Sequence, residues 1–245
     1  MQAGLWELIG LVGLVGVVVL LLLVRRNKRR SIKARPQSDF LARRANQLDW
    51  RYDGRAQGDI RYRFLGKTSQ GLPWELRYDN GKSSSASVPK VYWEMTQLKA
   101  NRKVFEISRG KSFEAQKNPQ GQGFAAGAAL MVGASSPDEL DFIREASVLP
   151  VGSRRLRERF KVIARSEADV AMLVTAEIEN LLLNWPSATQ AGFDPYRATK
   201  IICDSQSLRV ELKYDTSDMP LFEHLVKLGV ALADRVSGLG TIEAR

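Results

Sequence analysis

The most regular stretch of the chain is its first. From Leu5 to Val24 only Glu7 carries a charge, and from Leu8 onward the run holds Leu, Val, Ile and Gly alone. As a helix rising 1.5 Å per residue it would extend about 30 Å, the thickness of a bilayer's hydrocarbon core. The pattern predicts a transmembrane helix over residues 5–24. Arg25, Arg26, Lys28, Arg29 and Arg30 follow at once. A cleaved secretory signal carries its cations before a shorter apolar core, so the order here is reversed. The positive-inside rule then predicts a single-pass protein of a bacterial inner membrane. Residues 1–4 would form a short external N-terminus, 25–37 a basic juxtamembrane linker, and 38–245 a cytoplasmic domain.

Past the linker the period changes. Ser38 is positioned to cap a short helix over 39–48. "LDWRYD", "IRYRFLG", "PWELRYD", "KVYWEM" and "KVFEIS" then read as strands between residues 48 and 110, separated by Gly, Pro, Ser and Asn. In the second, Ile60, Tyr62 and Phe64 alternate with Arg61 and Arg63, the two-residue period of a half-buried strand. Residues 111–135 lose this pattern and read as a loop around a small apolar piece, with Ser136 or Asp138 capping a brief helix after it.

The second half predicts a strand over 159–165 and one long helix from Glu167 to Trp185, capped by Ser166 and stopped by Pro186. "KIICD" and "LRVELKY" follow as a hairpin joined through "SQS". A last amphipathic helix has Pro220 in its first turn, with Leu221, Leu225, Leu228 and Leu232 on the inner side. The fold class is α+β: an antiparallel, aromatic-rich half, then a strand-helix-strand-strand-helix half, with a subdivision near residue 135 left open.

Phe160, Val162, Ala171, Leu173 and Thr175 sit in a strand-to-helix series that, over residues 155–215, resembles a pattern in uncharacterised bacterial domains borne by small single-pass membrane proteins. The resemblance implies an envelope protein and a fold. It supplies no catalytic residues.

Composition sharpens the picture where charge is located. The formal net charge is +10, but residues 25–44 hold nine Lys and Arg against one acid, Asp39, and the chain beyond is nearly neutral. The cluster Arg25, Arg26, Lys28, Arg29 and Arg30 is therefore read as binding a lipid bilayer through anionic head groups, which leaves nucleic acid a disfavoured partner. A protein partner is the other expectation, or a homodimer through Gly10, Gly13 and Gly16. The arginines of "SRRLRERFK" are read as a solvated turn, with a second docking surface as the alternative.

One His, His224, and one Cys, Cys203, exclude a zinc site built from several such residues and any disulfide within the chain. Gly66-Lys67-Thr68, Gly81-Lys82-Ser83 and Gly110-Lys111-Ser112 imitate the end of a phosphate-binding loop. Each lacks the glycine five residues earlier, where Arg61, Leu76 and Phe105 stand. The glycines of residues 121–127 are spaced wrongly for a dinucleotide turn. No cofactor is implied. The remaining candidate for chemistry is Asp204 with Glu211 and Lys213, which imitates the acid and Glu-x-Lys set of metal-dependent nucleases. A non-enzymatic interaction or scaffold domain is the primary expectation, and a metal-dependent hydrolase or nuclease using these three residues is the alternative.

Overall fold

The computed structural model describes residues 38–55, 59–79, 89–96, 105–109, 141–142, 144–186, 194–204, 207–214 and 218–242. Two compact units divide the chain, residues 1–48 and 49–245. In the first, the described part is a helix, α1, at residues 38–47, where Ser38 already belongs to the helical turns rather than flanking them.

The second unit is built on one sheet of nine described strands. These are β1 (Arg51–Asp53), β2 (Ile60–Lys67), β3 (Pro73–Asp79), β4 (Lys90–Met95), β5 (Phe105–Arg109), β6 (Ser147–Leu149), β7 (Phe160–Ala164), β8 (Thr199–Cys203) and β9 (Leu208–Leu212). Their order is β1-β2-β3-β4-β9-β8-β5-β7-β6, antiparallel at every step. The described helices include α2 (Arg154–Arg159), α3 (Glu167–Ala171), α4 (Ala176–Leu183), α5 (Pro195–Ala198) and α6 (Met219–Ile242), and residues 141–142 and 144–145 are helical as well. The α+β class expected from the sequence is borne out. The two expected halves share one sheet, because β4 pairs with β9 while β5 lies between β8 and β7.

Alternation decides which side of each strand is buried. Phe64, Trp74, Leu76, Trp93, Val210 and Ile107 belong to the covered face, each at most 3% exposed. Helix α6 seats on this face, with Leu221, Leu225, Leu228 and Leu232 all fully buried. Its Phe222 ring lies 5.8 Å from Phe64 and 6.0 Å from Tyr62. Gly229 faces the Trp93 indole so closely that a Cβ there would come within 2.2 Å of the ring. Gly66 does the same beneath Trp74, its cross-strand neighbour. This glycine, first noticed for its likeness to a phosphate loop, makes room for an aromatic ring.

The long helix expected over 167–185 is two. Leu173 and Val174 both donate to the carbonyl of Val170, closing α3, and Thr175 then turns extended at φ −73°, ψ 166°. Its hydroxyl accepts from Ile178 N at 3.4 Å and starts α4 afresh, with Glu177 and Glu179 in the first turn. A threonine hydroxyl that can cap competes with the helix running through it. The arginine-rich stretch is also helical rather than a turn: Ser153 Oγ caps α2 by accepting from Leu156 N, and Ser153 N donates to Glu179 of α4. The hairpin, Pro220 in the first turn and the buried leucines of the last helix stand as expected. β6 was not anticipated; three residues are too few to show a period.

One expectation is corrected. Among the described residues no helix is long and apolar enough to cross a membrane. Helix α6 reaches 24 residues, but it carries four charged residues, Glu223, Lys227, Asp234 and Arg235. The single-pass inner-membrane placement, with an external N-terminus and a cytoplasmic domain, is therefore withdrawn. It rested on the apolar length of one segment, and crossing needs that length in a continuous helix. The predicted span over 5–24, its glycines, the basic cluster and the segment from 111 to 138 lie outside the described residues.

Replacing Gly229 by Ala should lower stability by about 1–3 kcal/mol, although alanine favours a helix by about 1 kcal/mol over glycine. The added methyl meets a fully buried ring that has nowhere to move. Chemical denaturation of the variant checks the sign, and a stabilised protein would mean that α6 does not seat as closely as described.

Candidate interaction face

The other side of the sheet carries the charged positions of the same strands. Cross-strand register lines them up: Arg77 opposite Tyr92, Tyr92 opposite Glu211, and Glu211 opposite Lys200 form one row. Glu75, Glu94, Arg209, Ile202 and Glu106 form the next. Opposite charges on neighbouring strands stabilise a sheet where they meet on one face.

Glu94 is the centre of the second row. Arg209 donates to its Oε1 from Nη2 at 2.6 Å and Nε at 3.0 Å, and Arg77 Nη1 stands 3.2 Å from Oε2. Glu94 is 9% exposed, so its two guanidinium partners take the place of water. Lys90 pairs with Glu211 at 3.2 Å, Lys200 with Glu106 at 3.3 Å, and Arg63 with Asp53 at 3.2 Å. Tyr92 lies amid these pairs, its ring centroid 5.2 Å from Arg77, 5.8 Å from Lys90 and 6.0 Å from Arg209. Burial pulls the Lys90 ammonium down, but Glu211 and Tyr92 outweigh it and its pKa lies above the ordinary value. The Asp53 carboxyl lies below its ordinary value, chiefly because the backbone N–H of Arg55 donates to it.

The nuclease-like set is taken apart by the same register. Glu211 and Lys213 are near each other at 3.9 Å, with Lys90 closer still. Asp204 stands at the other end of the hairpin, beyond the Cys203–Leu208 pair, while Glu211 pairs with Lys200. Its carboxylate accepts from Ser207 N at 2.7 Å and from the Ser207 hydroxyl at 3.1 Å, closing the turn. Among the described residues no group of three His, Cys, Asp or Glu could hold a metal ion. Cys203 is fully buried and its thiol is pushed up to about 12 by burial, with Asp204 adding to the effect. Three arginines of α2 find partners within the fold: Arg154 bonds Glu158 at 2.9 Å, Arg157 donates to the Pro150 carbonyl at 3.4 Å, and Arg159 stacks 4.0 Å over the Tyr196 ring. The sequence pattern missed the Glu94 junction, since its partners come from β3 and β9; alternation of acids and bases along "KVYWEM" and "LRVELKY" was the available signal.

His224 is structural as well. Its Nε2 donates to the Leu181 carbonyl at 2.8 Å and its ring lies 4.6 Å from Trp185, tying α6 to α4. Burial holds its pKa below 6.5, with Lys227 pushing the same way and the Leu181 bond opposing.

No family model, curated protein or solved structure matches the chain.

Two outcomes test these pairings. Glu94→Gln should cost about 1–2 kcal/mol, since both guanidiniums lose their counter-charge in a half-buried setting. The exposed Glu158→Gln should leave the thermal midpoint in place. For His224, the folded protein holds the proton less tightly than the unfolded chain. Stability should therefore fall as pH drops from 6.5 toward the depressed folded-state value and stay level above it. Thermal midpoints across that range should slope less in His224→Gln.

Proposed function

We propose that residues 49–245 act as a protein-interaction or scaffold domain, docking through the sheet face around Tyr92. The observation that carries this reading is neutralisation. Arg63, Arg77, Lys90, Lys200 and Arg209 each stand within 3.3 Å of a carboxylate. A nucleic-acid backbone would have to detach those cations from their partners before gaining phosphate contacts. A protein surface of mixed charge can instead extend the mosaic, meeting both signs at once, and Tyr92 offers an amphipathic ring at its centre.

The test uses the full chain with a photoreactive amino acid at Lys200, illuminated in cells. The expected result is a discrete protein adduct that disappears with Tyr92→Ala, a change outside the buried core. The absence of any such adduct, or a salt-sensitive shift of RNA or DNA that Arg77→Ala and Arg209→Ala abolish, would sink the interaction reading.

A further inference from the structure

Three exposed arginines gather at one end of the sheet, on its covered side. Arg109 closes β5 and stands opposite Phe160, the first residue of β7. Alternation places it on the side of the buried Phe105 and Ile107. Arg159 immediately precedes Phe160 and lies 4.0 Å over the ring of Tyr196, which packs edge-on against Phe160 at 5.8 Å. Arg155 sits one helical turn before Arg159, so the two share one side of α2. All three are exposed to solvent, while Leu156 between them is buried.

Charge distinguishes this corner from the Tyr92 face. There, Arg77, Lys90, Lys200 and Arg209 each stand within 3.3 Å of a carboxylate. Here the local acids are already engaged, Glu158 by Arg154 at 2.9 Å and Asp194 by Arg197 at 3.2 Å. Among the described residues Arg109, Arg155 and Arg159 form no ion pair. The Tyr196 ring offers Arg159 a π face, which orients the guanidinium without neutralising it. That ring is itself held in place, because its hydroxyl donates to the Leu183 carbonyl at 2.8 Å. Like charges one turn apart on a helix repel each other, and an anion bound between them turns that repulsion into attraction.

We propose that Arg109, Arg155 and Arg159 form a docking site for an acidic peptide segment of a partner protein. The inference adds a second surface on the other side of the sheet from Tyr92 and does not depend on the reading of that face. Each guanidinium presents a planar fork that matches a carboxylate with two parallel hydrogen bonds. Arg155 and Arg159 are separated by about 6 Å along α2, and alternate side chains of an extended peptide by about 7 Å. A sequence of the form acid-x-acid therefore engages both, and a further acid reaches Arg109. A nucleic-acid strand suits the corner less well. It carries a charge on every nucleotide and would bring phosphates against Glu158 and Asp194, where a peptide can place neutral residues.

The experiment photolyses the full chain with the peptide Glu-X-Glu-Gly-Glu, in which X is benzoylphenylalanine, and maps the adduct by mass spectrometry. An adduct within residues 153–160 or 194–198 is expected, and none there when glutamine replaces the three glutamates of the peptide. Arg155→Gln combined with Arg109→Gln should reduce it at least tenfold without moving the thermal midpoint. Should that double variant fail to fold, Arg155→Gln alone should still reduce it severalfold. Lys67→Gln, an equal charge change at the end of β2, and Tyr92→Ala should leave it unchanged. Adducts confined to the basic residues 25–44, or an adduct at α2 that ignores Arg155→Gln, overturn the proposal. So does a loss with Lys67→Gln or Tyr92→Ala as large as that with Arg155→Gln. An oligothymidylate that displaces the peptide at lower concentration than unlabelled peptide does would give the site to nucleic acid instead.

Discussion

The second unit depends on the approach of α6 to the sheet, and that approach is set by the contact of Gly229 with Trp93. An indole ring fully buried on β4 leaves no room for any side chain on the helix above it. With glycine there, the backbone of α6 comes down onto the ring, and the leucines and Phe222 on either side reach the aromatic cluster of β2 and β3. Dense packing of this kind is intolerant of an added methyl group because its neighbours have no free volume to give. Gly66 under Trp74 repeats the device within the sheet, and the two indoles stand 6.4 Å apart at the centre of the core.

Seating α6 in this way has consequences on both sides. Beneath it, the strands must present their apolar residues upward, so that the acids and bases between them are directed to the opposite face in register. Glu94, Arg77 and Arg209 come from three strands and meet only because β4 lies between β3 and β9. Above it, the helix carries the exposed Lys227 and Arg235 on the far side, next to α4. His224 fixes the lateral position of that pair of helices by donating to Leu181. The two faces are chemically unlike because the sheet brings opposite charges together from adjacent strands, whereas a single amphipathic helix spaces them apart along one stripe.

Asp204, Glu211 and Lys213 illustrate how a motif read along the chain can dissolve in three dimensions. Acid and Glu-x-Lys look adjacent in sequence, yet a hairpin sends its turn residue and its strand end in opposite directions. Asp204 closes the turn through Ser207, and Glu211 joins Lys90, a residue from the first half of the chain, through the β4–β9 pairing. The split of the predicted 167–185 helix has a local cause instead. Thr175 had the chemistry of a cap, but the apolar period ran through it and concealed the break.

Period and composition alone determined the α+β class, most strands, the closing hairpin and the inner face of the last helix. These follow from two-residue and 3.6-residue alternation, which is a property of neighbours along the chain. The same apolar reading also raised the membrane span, for which no helix among the described residues has the length and apolarity. Tertiary structure decided the rest: the joining of both halves in one sheet, the place of β5 between β8 and β7, the Glu94 junction, and the glycines under the two indoles. Each is a contact between segments far apart in sequence, and no local period encodes which strand will lie beside which.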